Sequence, residues 1–185
     1  MTILKKNTLP KNSILNSNHS KYDYMDGFAG MVIDHDHKFT SLHLWIAFFS
    51  SALKSPKWIE RLFIWRNKIV SIFGLKTSSN MEDRSSQLKN LKGENGEHLG
   101  LFKLLDRTEN EIILGHNDKH LNFKISLLLG EQKSGITERE LILSTTINFN
   151  NWFGRIYFTI IKPFHNLIVP RMLKVIISEL ENHNY

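Results

Sequence analysis

The chain contains no cysteine in its 185 residues. Disulfides, thiolate metal sites and cysteine nucleophiles are therefore excluded, and the composition fits a reducing compartment. A glycine-rich phosphate loop, a G-x-S-x-G elbow and an HExxH helix are also missing, which removes the best-defined enzyme signatures. A membrane-spanning helix needs roughly 20 nearly uninterrupted apolar residues. The most apolar stretch, NNWFGRIYFTIIKPFHNLIVPRML (residues 150–173), is broken by Arg155, Lys162, His165, Asn166 and Arg171, so no transmembrane segment is expected. The N-terminal MTILKKNTLPKNSILNSNHSK is too polar after Leu4 to hold the apolar core of a signal peptide. A flexible arm over residues 1–20 and a cytoplasmic location are the resulting expectations.

The remaining length, 21–185, suits one domain able to bury its own core. A net charge of +6 and a pI near 9.5 invite a nucleic-acid reading. Such binding needs lysines and arginines gathered on one face. Here they are spread along the chain, and Lys5, Lys6, Lys11 and Lys21 read as a solvated tail, so no nucleic-acid partner is expected.

After the arm, KYDYMDGFAGMVID predicts a first strand. Thr40 and Ser41 offer a cap to a helix over LHLWIAFFSSAL. Ser55-Pro56 opens a second helix, with Trp58, Leu62, Trp65 and Ile69 at three- and four-residue steps and Gly74 as its stop. Residues 76–97 are rich in serine, asparagine, glycine and charge, and read as a surface connection. From Leu99 the period becomes that of strands: LGLFKLL, EIILG, HLNFKISLLLG and RELILSTTINF. Turn chemistry at Thr108-Glu109-Asn110, at His116-Asn117-Asp118 and at Lys133-Ser134-Gly135 implies an antiparallel meander. Consecutive apolar residues at Leu127 to Leu129 and Leu141 to Leu143 predict a sheet covered in places on both sides. From Trp152 to about Leu180 the apolar spacing is helical, with Asn148 or Asn150 as a cap and with Pro163 and Pro170 expected to bend or divide the helix. Its apolar surface is wider than an ordinary stripe.

This order of elements matches the topology of a helix-grip fold, of the START/Bet v 1-like kind: an α+β arrangement in which a curved antiparallel sheet wraps a long C-terminal helix, with two short helices after the first strand. The phrases YDYMDGF, WIERLFIWRNKIVSIFGLK, ILGHNDKHLNFKISL and STTINFNNWFGRIYFTIIKPFH resemble those of the bacterial domain of unknown function 2867 family, over most of residues 22–173. The resemblance implies a relative of the ligand-binding helix-grip proteins, sometimes joined to dehydrogenase-like domains, and it carries no established activity. The recurring residues it points to are Tyr22, Asp23 and Asp26; Arg66, Gly74 and Leu75; Asp118, His120 and Leu121; and Gly154, Arg155, Tyr157, Pro163, Phe164 and His165. Gly27 stands where serine is expected and Asn122 where aspartate is expected, which weakens any role needing that hydroxyl or carboxylate.

HNDKH (116–120) and DHDH (34–37) have the residue types of metal ligands, but His116 and Asp118 suit a hairpin turn, and His35 and His37 a polar loop, so no metal or other cofactor is expected. Asp118 with His120 suits either an acid–base pair or a structural hydrogen bond. On the last helix, Arg155 and His165 are separated by about 1,000°, some 80° short of three turns, and so share a broad face. In a cavity lined by Trp152, Ile156, Ile160, Phe164 and Ile168, one cation and one imidazole would orient a mostly apolar ligand. The competing reading pairs Arg155 with Asp23 or Asp26 and has His165 donate to a backbone carbonyl. The leading expectation is a noncatalytic domain that binds a small apolar molecule through Tyr22, Asp26, Arg66, Asp118, His120, Arg155, Tyr157, Phe164 and His165. Two alternatives stand beside it: a weak acid–base enzyme using Asp118, His120 and His165, and a homodimer built on the C-terminal helix.

Overall fold

Seven strands form one antiparallel sheet in a computed structural model that describes residues 1–19, 21–35, 38–53, 93–99, 102–131 and 135–182. In chain order the elements are β1 (Leu4–Lys6), a short 3-10 helix (Ile14–His19), β2 (Tyr24–Ile33), α1 (Ser41–Leu53), β3 (His98–Leu99), β4 (Phe102–Arg107), β5 (Glu111–Asn117), β6 (Leu121–Leu129), β7 (Glu138–Phe149) and α2 (Trp152–Asn182). The spatial order is β1-β2-β7-β6-β5-β4-β3, so the last long strand inserts beside the first one and β4 to β7 form the expected meander. The result is an α+β fold in which a curved open sheet holds a long C-terminal helix, as in helix-grip proteins. The expected second helix, together with Arg66, Gly74 and Leu75, lies outside the described residues, and so does most of the 76–97 connection.

Strand alternation puts Phe28, Val32, Leu104, Ile112, Leu114, Leu127, Leu129, Leu141 and Leu143 on an inner face, where they meet Leu44, Trp45, Phe48 and Phe49 of α1 and Leu173, Ile176, Ile177 and Leu180 of α2. Each such side chain removed from water contributes about 1.5–3 kcal/mol. α1 starts where the sequence places it. The backbone N–H of Leu44 donates to the Thr40 carbonyl, and that of Thr40 donates to Nδ1 of His43 at 3.0 Å. The first bond is the ordinary opening bond of the helix; the second is one half of a capping box, in which histidine takes the place usually filled by glutamate.

The doubly apolar runs of β6 and β7 are covered on both faces: Leu128 and Ile142, which point outward, are 4% and 7% exposed. The N-terminal segment provides part of that cover. Composition predicts a loose arm, yet Lys5 pairs with Phe28 in the β1–β2 ladder, residues 8–12 line a groove with Leu128 and Ile142, and Leu15 is buried. The polar anchor is Glu111, whose carboxylate accepts from the Ser13 hydroxyl, the Ile14 N–H and the Ser126 hydroxyl. At the start of β7, Arg139 is a buried hub. Its guanidinium pairs with Asp34 at 3.1 Å and donates to the Gly130 carbonyl and to Asn110, tying three connections together. Asp34, the first residue of the DHDH run, is thus a structural ion-pair partner.

α2 runs unbroken through Pro163 and Pro170, which therefore do not divide it. Its N-cap is Asn151, whose side-chain oxygen accepts from the Gly154 N–H at 3.1 Å, one residue beyond the expected Asn150. Asn150 instead donates to the Asp118 carbonyl and bonds Asn122. In a run of three nearby asparagines, the tertiary partner of each decides which one caps.

Candidate functional site

Tyr24 and Asp26 are two residues apart on β2 and so share the inner face; Thr145 of β7 lies directly opposite Asp26 in the ladder. α2 crosses this point and presents Phe158 and His165. The Tyr24 hydroxyl donates to Oδ2 of Asp26 at 2.7 Å, and Nε2 of His165 lies 3.1 Å from each Asp26 oxygen. The Asp26 residue is 4% exposed, so a buried carboxylate is satisfied by a phenol and an imidazole. This arrangement needs a hydrogen on Nε2 of His165. Burial, reinforced by the hydrogen bond to Asp26 and its charge, raises the Tyr24 pKa well above the usual phenol value, so that proton stays in place. The Phe158 ring packs at 4.6 Å from that of Tyr24, and the Lys162 ammonium lies 5.0 Å from the Tyr24 ring centre.

Beside this cluster the hydroxyl of Thr145 is buried with no hydrogen-bond partner among the described residues. The Trp45 indole N–H and the Asn166 side-chain oxygen are in the same condition. Native interiors tolerate few such groups, because each forfeits its water without replacement. Along β4, β5 and β6 the inner face also changes character. Phe102, His116, Leu121, Phe123 and Ile125 are only half-buried, whereas Leu104, Leu114 and Leu127 beside them are sealed. The Phe123 ring bridges those of Phe102 and His116, at 5.9 and 6.4 Å.

The residues predicted from the sequence fall into three groups. Asp26 and His165 come together as a hydrogen-bonded pair, and Tyr157 and Phe164 are half-buried on the same helix. Arg155 does not join them: its side chain is 62% exposed, it pairs with Asp23 at 2.9 Å and it stacks over Phe149, so the shared Arg155–His165 face is not realised. Asp23 also accepts from the Phe149 N–H, and this bond, followed by the Arg155 cation, holds its pKa below the usual carboxylate value against the opposing effect of burial. Asp118 and His120 lie in the β5–β6 turn. The Asp118 N–H donates to the Leu121 carbonyl, while the His120 ring contacts the Asn151 side chain and packs at 4.6 Å from Phe153. His116 belongs to β5 and not to that turn. The Tyr22 hydroxyl donates to the Leu15 carbonyl and holds the N-terminal segment. Trp152, Ile156 and Ile160 do not line an interior, being 72%, 51% and 42% exposed. Tyr24 and Thr145 were missed; the two-residue step from Tyr24 to Asp26 is the signal that would have found the first. Among the described residues no three histidine or carboxylate groups gather at metal-binding distance.

The family model for the protein of unknown function DUF2867 matches residues 20–172. The chain belongs to the DUF2867 family. No curated protein and no solved structure matches it. Two positions where this chain departs from the expected family pattern now have an environment. Gly27 faces outward, where an added Cβ would touch the Ser144 hydroxyl and Lys6, and Asn122 bonds the Asn150 side chain. Both lie away from the Tyr24–Asp26–His165 cluster.

Proposed function

We propose that this DUF2867 member binds a small, largely apolar molecule against the inner face of the sheet beside α2. The polar end of the ligand meets Thr145 and the Tyr24–Asp26–His165 cluster. The observation that carries this reading is the half-buried strip Phe102–Phe123–Ile125, apolar surface on a face that is elsewhere closed. A ligand covering about 200 Å² of it gains about 5 kcal/mol from apolar contact before the costs of immobilisation. An unpaired buried hydroxyl nearby supplies the orientation that apolar contact lacks. Tyr157 and Phe164 belong to the wall; Tyr22, Asp118, His120 and Arg155 are assigned to the frame. The absence of cysteine supports a cytoplasmic location. Acid–base catalysis by Asp118, His120 and His165 gains no support, since His165 bonds Asp26 and the other two sit in a turn.

Native mass spectrometry of the untagged protein, and titration with the fluorescent probe N-phenylnaphthylamine, test this reading together with Thr145→Val. The valine has nearly the shape of threonine and removes a hydroxyl that has no partner, so the ligand-free variant should melt at or above the wild-type temperature. It should retain the ligand about tenfold less well. A wild-type protein that carries no small molecule and does not bind the probe would sink the reading.

A further inference from the structure

The outward side of α2 is the least explained surface of the molecule. Trp152, Ile156, Ile160 and Leu167 are 72%, 51%, 42% and 50% exposed, on a helix whose opposite side is core. At about 100° per residue these four and Pro163 lie within about 80° of one another, a stripe about 22 Å long. Arg155 and Lys162 flank it on one side and Arg171 on the other, with Lys174 continuing it; all four are exposed. From Trp152 to Ser178 the helix carries no carboxylate. Arg155 pairs with Asp23 at 2.9 Å, yet its side chain is 62% exposed.

We propose that α2 docks this stripe in the plane of an anionic membrane surface. An interfacial helix needs large apolar side chains on one arc, an aromatic residue at headgroup depth and cations at the arc's edges. Trp152, the isoleucines and Leu167 fill the first two requirements, and the four cations fill the third. The net charge of +6 acts in the same direction over longer range. A second copy of the chain fits less well, because a twofold pairing of α2 on α2 would bring Arg155 and Lys162 toward the same cations of the other copy, where Asp23 offsets Arg155 but the helix has no carboxylate to offset Lys162. Nor does the helix span a bilayer, as no helix of the described residues is long and apolar enough. A protein that binds an apolar molecule gains from such docking, since its ligand partitions into the same bilayer.

The full chain should co-sediment with vesicles of phosphatidylcholine containing roughly one-third phosphatidylglycerol at least about tenfold more strongly than with phosphatidylcholine alone, and less so as salt rises. Ile156→Asp combined with Ile160→Asp changes only exposed side chains, so circular dichroism and melting should be unchanged while vesicle binding falls about tenfold or more. Arg171→Gln with Lys174→Gln should remove the preference for anionic over neutral vesicles without altering the fold. Equal or absent binding to the two vesicle types overturns the proposal, as does binding that ignores the aspartate substitutions. A dimer seen by light scattering that those substitutions dissolve assigns the stripe to a second copy and overturns it equally.

Discussion

His43 shows what a single side chain settles in this fold. Its Nδ1 receives the Thr40 N–H and lies 3.1 Å from the Thr40 hydroxyl, so it serves the first turn of α1 only while it is neutral. Burial lowers its pKa, partly opposed by the charge of Asp34, and a helix N-terminus is in any case a poor site for a cation. With a folded pKa below the unfolded value of about 6.5, the unfolded chain binds more protons. The contribution of His43 is therefore complete above that value and is lost as pH falls through the folded pKa. Thermal melting between pH 7.5 and pH 5.5 (about one unit either side of the ordinary imidazole value) should show a steeper loss in the wild type than in His43→Ala, which lacks the cap at every pH. Parallel slopes would remove His43 from this role. Nothing in SLHLWIAFFSSAL marks the histidine as a cap, because its partner is identifiable only once the chain has turned at Thr40.

Among the elements, α2 depends on one contact at its first turn. A Cβ on Gly154 would overlap the carbonyl of His120, a backbone group held in the β5–β6 turn that has no room to give way. Glycine inside a helix normally costs about 1 kcal/mol relative to alanine, so Gly154→Ala would stabilise α2 if the helix stood alone. Here the overlap outweighs that gain, and a net destabilisation of about 1–3 kcal/mol is expected, measurable by urea denaturation. A more stable Gly154→Ala protein would mean that helix and turn are not in close contact. The helix itself and its length were legible from apolar spacing. Which side of it faces the core was not: Trp152, Ile156 and Ile160 have the periodicity of lining residues, but β2 and β7 meet the arc of Phe158, His165 and Ile177 instead.

At the scale of the whole molecule, the N-terminal segment closes the back of the sheet through Glu111. Replacing Glu111 with alanine strands the Ser13 hydroxyl, the Ile14 N–H and the Ser126 hydroxyl, three donors that meet at one buried carboxylate. At about 1–3 kcal/mol for each donor left without a partner, less what the freed segment recovers from water, a loss on the order of 3 kcal/mol is expected. Limited proteolysis should then cut residues 1–20 well before the rest of the chain. A cleavage rate equal to that of the wild type would show that the segment is held by something else.

Pattern alone determined β2, α1, the antiparallel meander, α2 and the doubly covered stretches of β6 and β7, because those follow from residue-to-residue periodicity and turn chemistry. Tertiary structure decided the rest. Tyr24 reaches Asp26 and His165, Asp34 reaches Arg139, and Ser13 reaches Glu111, pairs as much as 139 residues apart along the chain. A buried polar group takes whichever partner the packing brings to it, and periodicity holds no record of that choice.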